Sequence, residues 1–296
     1  MRVYITGIAG LLGNNIVKKL INRCEITGVD ILDIKIPNIS YEKFSLYETE
    51  RLYEHIKHIK PDVVIHTAAA VNVDECEENP GWAYKLNQEV TGNIAEICNS
   101  LGVKMLYISS DAVFDGEKED LYKETDRVNP INIYAKTKLG GEKFVLQYDQ
   151  NLVFRTNIYG INIQNKKSFG EWIISSLEED KTLNMFEDID FSPILVSDLA
   201  EIIYKALEKN LSGLYHVCAT GTISKYEFGM YVKEIFGFKT GNINKTNSDT
   251  MNFKAKRSKH MGMSNEKISR DLNIDIRSPK ESIQEFKRLY DEMMRY

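Results

Sequence analysis

Little in the sequence points to staples, repeats or a membrane. Four cysteines (Cys24, Cys76, Cys98 and Cys218) are scattered through 296 residues and form no CxxC pair. That argues against a disulfide scaffold and for a reduced, cytoplasmic setting. Only 6 prolines and 18 glycines occur, while apolar residues make up 43% and charged residues 27%. Collagen-like, low-complexity and wholly disordered chains are thereby excluded. No apolar run approaches the roughly 18 residues of a membrane span. The N-terminal MRVYITG lacks the basic-then-apolar layout of a signal peptide. Positive charge is not in excess either: 38 Lys and Arg against 43 Asp and Glu leave a net charge of −5. Broad nucleic-acid binding is not expected, and neither is a membrane partner.

What is present is a rhythm. Short apolar runs (Arg2–Thr6, Ile26–Val29, Asp62–His66, Val103–Ser109, Leu152–Arg155) alternate with segments of helical spacing (Gly10–Ile21, Tyr47–Ile59, Pro80–Leu101, Pro130–Gln147). Strand and helix in turn predict right-handed crossovers and a parallel sheet covered on both faces. The runs VVIH, MLYIS and LVFR are apolar throughout, as such a sheet requires. The fold class expected is α/β, a Rossmann-type doubly wound parallel sheet with a smaller C-terminal substrate-binding subdomain. Residues 1–160 form the dinucleotide-binding domain, with a later segment near 190–220 interleaved, and 161–296 form mainly the subdomain. In the latter, helices are expected over Ser168–Leu177, Ser197–Glu208, Ser224–Phe236, Ser264–Leu272 and Pro279–Met294. Strands are expected over Gly213–Val217 and Lys239–Asn244, with 245–263 irregular.

Thr6-Gly7-Ile8-Ala9-Gly10-Leu11-Leu12-Gly13 lies where the first strand becomes a helix. Glycine suits a tight turn there and lets a pyrophosphate approach the free N–H groups and positive end of the helix. Gly7, Ala9, Gly10, Leu11, Leu12 and Gly13 are therefore candidate cofactor contacts. Asp30 ends the second strand, 17 residues after Gly13. A carboxylate there takes both adenine-ribose hydroxyls and repels a 2′-phosphate, which favours NAD(H) over NADP(H). Lys35 lies close by and softens that preference. Ala68, Ala69 and Ala70 follow the strand ending at His66 and offer small side chains at the sheet edge.

Tyr134 and Lys138 are spaced i, i+4 on one helix face. An ammonium beside a phenol lowers its pKa, and such a phenol exchanges a proton with a carbonyl oxygen. Ser110 ends a strand at the carboxyl edge, where open α/β sheets place ligands, and would orient the substrate oxygen. Other motifs read more plainly. His55 and His58 suit a solvated helix face, His66 a satisfied strand-edge histidine, and Lys254, Lys256, Arg257 and Lys259 a solvated basic loop. Trp82 and Trp172 read as core or interface anchors.

These segments together resemble an extended short-chain dehydrogenase/reductase, and within it the dTDP-4-dehydrorhamnose reductase family. The resemblance rests on ITGIAGLLG, PDVVIHTAAAVNVDECE, YISSDAVFDG, NPINIYAKTKLGGEK, LVFRTNIYG, GLYHV and AKRSKHMGMSNEK. It implies NAD(P)H-dependent reduction of the 4-keto group of a nucleotide-linked deoxy sugar, with Ser110, Tyr134 and Lys138 as the catalytic set. It further implies that Asn87 helps hold the lysine and that Arg155 passes the nicotinamide end. Asn72, Asp111, Phe114, Asn157 and Arg257, with the loop near Phe191–Pro193, would face the substrate. Two departures stand out. Arg257-Ser258 replaces the family's Arg-Pro, and Asn14-Asn15 stand where some members hold a metal through a glutamate, so no metal is expected. Members of this family often form homodimers, and the oligomeric state is left open. Two alternatives share the fold: a nucleotide-sugar epimerase, and a non-catalytic NAD(P)-binding regulatory subunit.

Overall fold

The computed structural model describes residues 1–33, 39–164 and 166–295. Lys35, invoked above beside Asp30, lies outside the described residues. The chain opens with β1 (Arg2–Thr6), α1 (Leu11–Leu20), β2 (Glu25–Asp30), β3 (Ser40–Lys43), α2 (Thr49–Ile59) and β4 (Val63–His66). Next come α3 (Val73–Glu78), α4 (Pro80–Tyr84), a π turn over Lys85–Glu89 and α5 (Val90–Ser100). They lead to β5 (Lys104–Ser110), α6 (Ile133–Val145) and β6 (Leu152–Thr156).

The strands join in the order β3-β2-β1-β4-β5-β6, every pair parallel. The order reverses between β1 and β4, which opens a crevice at their carboxyl ends. Apolar residues drive this arrangement because both faces are covered. On one face Leu12, Ile16 and Leu20 of α1 pack over Ile5 and Ile65. On the other, Leu52, Ile56, Ile94 and Cys98 cover Tyr4 and Val64. Each such side chain contributes about 1.5–3 kcal/mol on burial.

Beyond β6 the chain forms β7 (Ile158–Tyr159), α7 (Phe169–Glu178), β8 (Thr182–Phe186), β9 (Asp190–Phe191), β10 (Ile194–Leu195) and α8 (Val196–Glu208). β11 (Gly213–His216) then returns to the main sheet beside β6 and makes it seven-stranded. The remainder is β12 (Ile223–Ser224), α9 (Lys225–Phe236), β13 (Asn242–Thr246), β14 (His260–Met261), α10 (Glu266–Leu272) and α11 (Pro279–Met293). Short sheets hold this smaller region: β13 with β8, β10 with β7, and β12-β9-β14. Its core gathers Tyr159, Ile173, Phe191, Phe228 and Phe286. Three of its helices start in a reciprocal Ser-x-x-Glu cap, at Ser168, Ser224 and Ser278. There the serine hydroxyl and the glutamate each satisfy one otherwise orphaned amide.

The main differences from the sequence reading are local. The single helix expected over Pro80–Leu101 is interrupted by the π turn at Lys85–Glu89. The strand expected over Lys239–Asn244 runs over Asn242–Thr246 instead and pairs with β8. β3, β8 and α3 were not expected. The 245–263 stretch contains a 3-10 turn at Ser248–Thr250 and β14.

Candidate active site

The crevice begins at Gly7, which has a φ of +75° as β1 turns toward α1. A Cβ on Gly7 would meet the Ala68 amide nitrogen at 2.7 Å, and one on Gly13 would meet the Gly7 carbonyl oxygen at 2.3 Å. Only glycine lets the loop after β1, the start of α1 and the Ala68–Ala70 loop come together this closely. No side chain caps α1, whose first turn carries no acidic residue. Its amides are left for an external acceptor, and the helix dipole favours an anion there. A dinucleotide's pyrophosphate fits this cradle. Asp30 closes it from β2: its Oδ2 accepts from the Ala9 amide at 2.8 Å and its Oδ1 from the Leu32 amide at 3.0 Å.

Asn87 sits in the π turn, a feature often found where a helix serves a site. Its Oδ1 accepts from the Ala70 amide at 2.8 Å, and its Nδ2 donates to the Ala70 carbonyl and to Thr137 Oγ1, both at 3.0 Å. It ties the Ala68–Ala70 loop to α6; its bonds go to Ala70 and Thr137, not to Lys138.

α6 starts at Asn132, whose Oδ1 accepts from the Ala135 amide at 2.9 Å. Tyr134 and Lys138 then follow one turn apart. Lys138 is buried, donates from Nζ to the Ile108 carbonyl at 2.7 Å and lies 4.3 Å from the centroid of the Tyr107 ring. Burial pushes its pKa down to about 7. Burial likewise pushes the Tyr134 phenol up to about 12, against the influence of the nearby Ser110 hydroxyl, which favours ionisation. The i, i+4 spacing predicts that the ammonium lowers the phenol; in the folded chain desolvation prevails and the phenol keeps its proton. Ser110 Oγ donates to Asp111 Oδ1 at 2.9 Å and accepts from the Ala112 amide at 3.1 Å. Asn157 Nδ2 donates to Asp111 Oδ2 at 2.6 Å. Burial raises the Asp111 carboxyl despite these bonds. The strand ends of β5 and β6, where Ser110 pairs with Thr156, thus bring Ser110, Asp111 and Asn157 together beside Tyr134.

Other expected residues lie elsewhere. Arg155 is buried in a two-pronged pair with Glu142, Nε to Oε1 at 2.9 Å and NH2 to Oε2 at 2.7 Å. Ser109 also donates to Glu142 Oε1, at 2.5 Å. A buried guanidinium needs such a partner, so the Arg155 side chain serves the core rather than a cofactor. Phe114 has no exposed surface and stacks on Tyr122 at 4.1 Å, so it does not face a sugar. Asn72 is exposed and caps α3, accepting from the Glu75 amide at 3.2 Å. Arg257 is half-buried and paired rather than free in solvent: its NH2 donates to Asp74 Oδ2 at 2.7 Å. His66 bonds Thr6 Oγ1 at 2.6 Å and Thr91 Oγ1 at 3.1 Å, and burial lowers its pKa to about 3, so it is a neutral structural histidine. His55 is turned inward to the Tyr4 hydroxyl at 2.8 Å rather than solvated. Asn14 donates to the Ala9 carbonyl at 2.6 Å and Asn15 to the Ile161 carbonyl at 3.0 Å, so both hold the glycine loop's surroundings.

Lys225 belongs to none of the motifs above yet lies close to this corner. Its Nζ lies 3.2 Å from the centroid of the Phe191 ring and close enough to Asp111 to feel its charge. A signal was available: Ser224 and Glu227 spell a helix cap, and a lysine inside it opposes the helix dipole.

Comparison with known proteins agrees with this architecture. A relative from Bos taurus, methionine adenosyltransferase 2 subunit beta, is 30% identical over 82% of this chain and 74% of its own. A structure described as a hypothetical dTDP-4-dehydrorhamnose reductase from Sulfolobus tokodaii is 33% identical, covers 94% of this chain and 97% of its own, and has a TM-score of 0.85. The dTDP-4-dehydrorhamnose reductase of Bacillus anthracis in complex with NADP is 27% identical, covers 97% and 98%, and has a TM-score of 0.85. Among the described residues no helix is long and apolar enough to cross a membrane. The RmlD substrate binding domain model matches residues 1–291, the glycine cradle, the Ser110–Tyr134–Lys138 corner and the smaller region alike, and the chain belongs to that family.

Proposed function

We propose that this protein reduces the 4-keto group of a nucleotide-linked deoxy sugar with NAD(P)H. The observation that carries the reading is the corner where Ser110, held by Asp111, meets a protonated Tyr134 at the sheet edge beside the glycine cradle. The cradle residues Gly7, Ala9, Gly10, Leu11, Leu12 and Gly13, with Asp30, Ala68 and Ala69, would hold the dinucleotide, and NAD(P)H supplies the hydride. Ser110 Oγ turns its one proton from Asp111 to the ketone oxygen and so orients it. The Tyr134 phenol gives its proton to that oxygen as the carbonyl becomes an alcohol. Its high pKa suits this direction, because the acid must be protonated before it donates. Lys138, one turn on, would face the nicotinamide ribose and stabilise the phenolate that remains. Asn157 keeps Asp111, and through it Ser110, in place. Fixing donor and ketone in one geometry removes much of the orientational barrier. Asp30 favours NAD(H), while the Bacillus anthracis relative binds NADP, so both are substrates for the test.

Tyr134→Phe tests the reading. With dTDP-4-keto-6-deoxy sugars, oxidation of the reduced nicotinamide is expected to slow by about 10²–10⁴-fold, while cofactor affinity stays near that of the wild type. Unchanged turnover rejects Tyr134 as the acid. A second reading, a subunit that binds another enzyme, is favoured by the likeness to methionine adenosyltransferase 2 subunit beta. It predicts a tight protein partner and no turnover of any keto sugar nucleotide.

A further inference from the structure

Lys225 has no part in the steps above, and its position is costly. It is the first residue of α9, directly after the N-cap Ser224, where the positive end of the helix opposes a cation. Its Nζ is packed on two rings, 3.2 Å from the Phe191 centroid and 4.6 Å from that of Phe169. Aromatic faces recover part of the hydration that an ammonium loses, but they offer no oxygen to its three donors. Among the described residues, no carboxylate comes within ion-pair distance of it. Asp111 is the acid that feels its charge, and both Asp111 oxygens are already engaged by Ser110 and Asn157. Burial leaves the amine with a pKa of about 7. The amine therefore lies within reach of the charge of Asp111, the residue that holds Ser110, and is short of a negative partner of its own. Outward from it, Trp172 stacks on Phe169 at 6.0 Å and is 42% exposed, so an aromatic shelf continues toward solvent.

We infer that Lys225 seats an anionic oxygen of the substrate, carried either by the nucleotide's phosphates or by a carboxylate on the sugar. This rests on the sugar-nucleotide reading above. Lys225 thereby selects charged ligands in a corner whose other groups would accept a neutral ketone.

The test measures binding by calorimetry to protein saturated with whichever of NADH and NADPH the wild type binds more tightly, in wild type, Lys225→Met and Lys225→Arg. The probes are the diphosphate, the diphosphoglucose and the diphosphoglucuronate of thymidine and of uridine. Affinity for that cofactor, read first, reports whether each variant is folded. If phosphate is the source, Lys225→Met weakens all three ligands by about tenfold or more and Lys225→Arg restores them to within about threefold. If the carboxylate is the source, Lys225→Met weakens only the glucuronate, and Lys225→Arg restores that alone. Wild type that binds these ligands, with Lys225→Met binding them equally well, overturns the role of Lys225 and leaves the sugar-nucleotide reading standing. Wild type that binds none of them overturns both.

Discussion

An amine buried against an apolar wall leaves a signature in stability against pH. Folding lowers the Lys138 pKa from the ordinary lysine range to about 7. Between those values the unfolded chain holds a proton that the folded one has released, so stability rises with pH across the window. Below about 7 the folded protein must carry the buried charge and the full penalty applies. Lys138→Met removes the penalty. Its melting temperature is expected to exceed that of the wild type by several degrees near pH 6, and the gap to shrink steadily toward about pH 10. A gap that stays constant over that range contradicts the desolvation of Lys138. At this scale the sequence was informative where spacing decides the outcome: Tyr134 and Lys138 share a helix face because they are four apart. It was uninformative where a distant partner decides. Arg155 turns to Glu142 and Phe114 to Tyr122, and nothing near either residue in the chain announces those partners.

The glycine cradle works as an element because three backbone segments converge on it. Gly13→Ala places a Cβ 2.3 Å from the Gly7 carbonyl, so α1 or the loop must shift. Overpacking of this kind costs about 1–3 kcal/mol, and the displaced amides no longer present a seat for phosphate. The variant is expected to melt lower and to bind NAD(P)H at least about tenfold more weakly, both readable by calorimetry with and without cofactor. Normal affinity contradicts the cradle as the dinucleotide seat. The strands and long helices were legible in the sequence because their apolar spacing is strong. The π turn was not. One extra residue in a helical turn leaves the apolar pattern on either side intact, and the bulge is held by the bonds of Asn87 to Ala70 and Thr137. β3 escaped notice because SYEK carries no apolar run and lies at an exposed edge.

Across the whole molecule, the segment from Phe253 to Lys259 joins the smaller region to the dinucleotide side. Arg257 pairs with Asp74, the Ala255 amide donates to Asp74 Oδ1 at 3.1 Å, and Asn132 Nδ2 donates to the Lys256 carbonyl at 3.0 Å. Lys254 pairs with Glu78. The serine that replaces the family's proline is anchored too: Ser258 Oγ donates to the Phe114 carbonyl at 3.2 Å. Because Arg257 and Asp74 are partly exposed, a double-mutant cycle with Arg257→Met and Asp74→Asn is expected to give a coupling of about 0.2–1 kcal/mol that falls with added salt. Thermal unfolding of the four proteins measures it, and zero coupling at low salt shows the pair to be incidental. The sequence marks this strap as a basic run and no more; only the folded arrangement brings 253–259 onto α3.

The return of β11 to the main sheet has a mechanical side. After residue 156 the backbone passes repeatedly between the two regions: α8 lies on α1, β11 beside β6, and α10 against β11, while α7, α9 and α11 build the other core. Several threads, not one, therefore span the cleft. Any widening must flex all of them in concert, which favours shallow breathing over a wide swing. A protease that nicks a single linker would leave the two halves tethered, and a gene cut at that point would strand β6 with a naked flank.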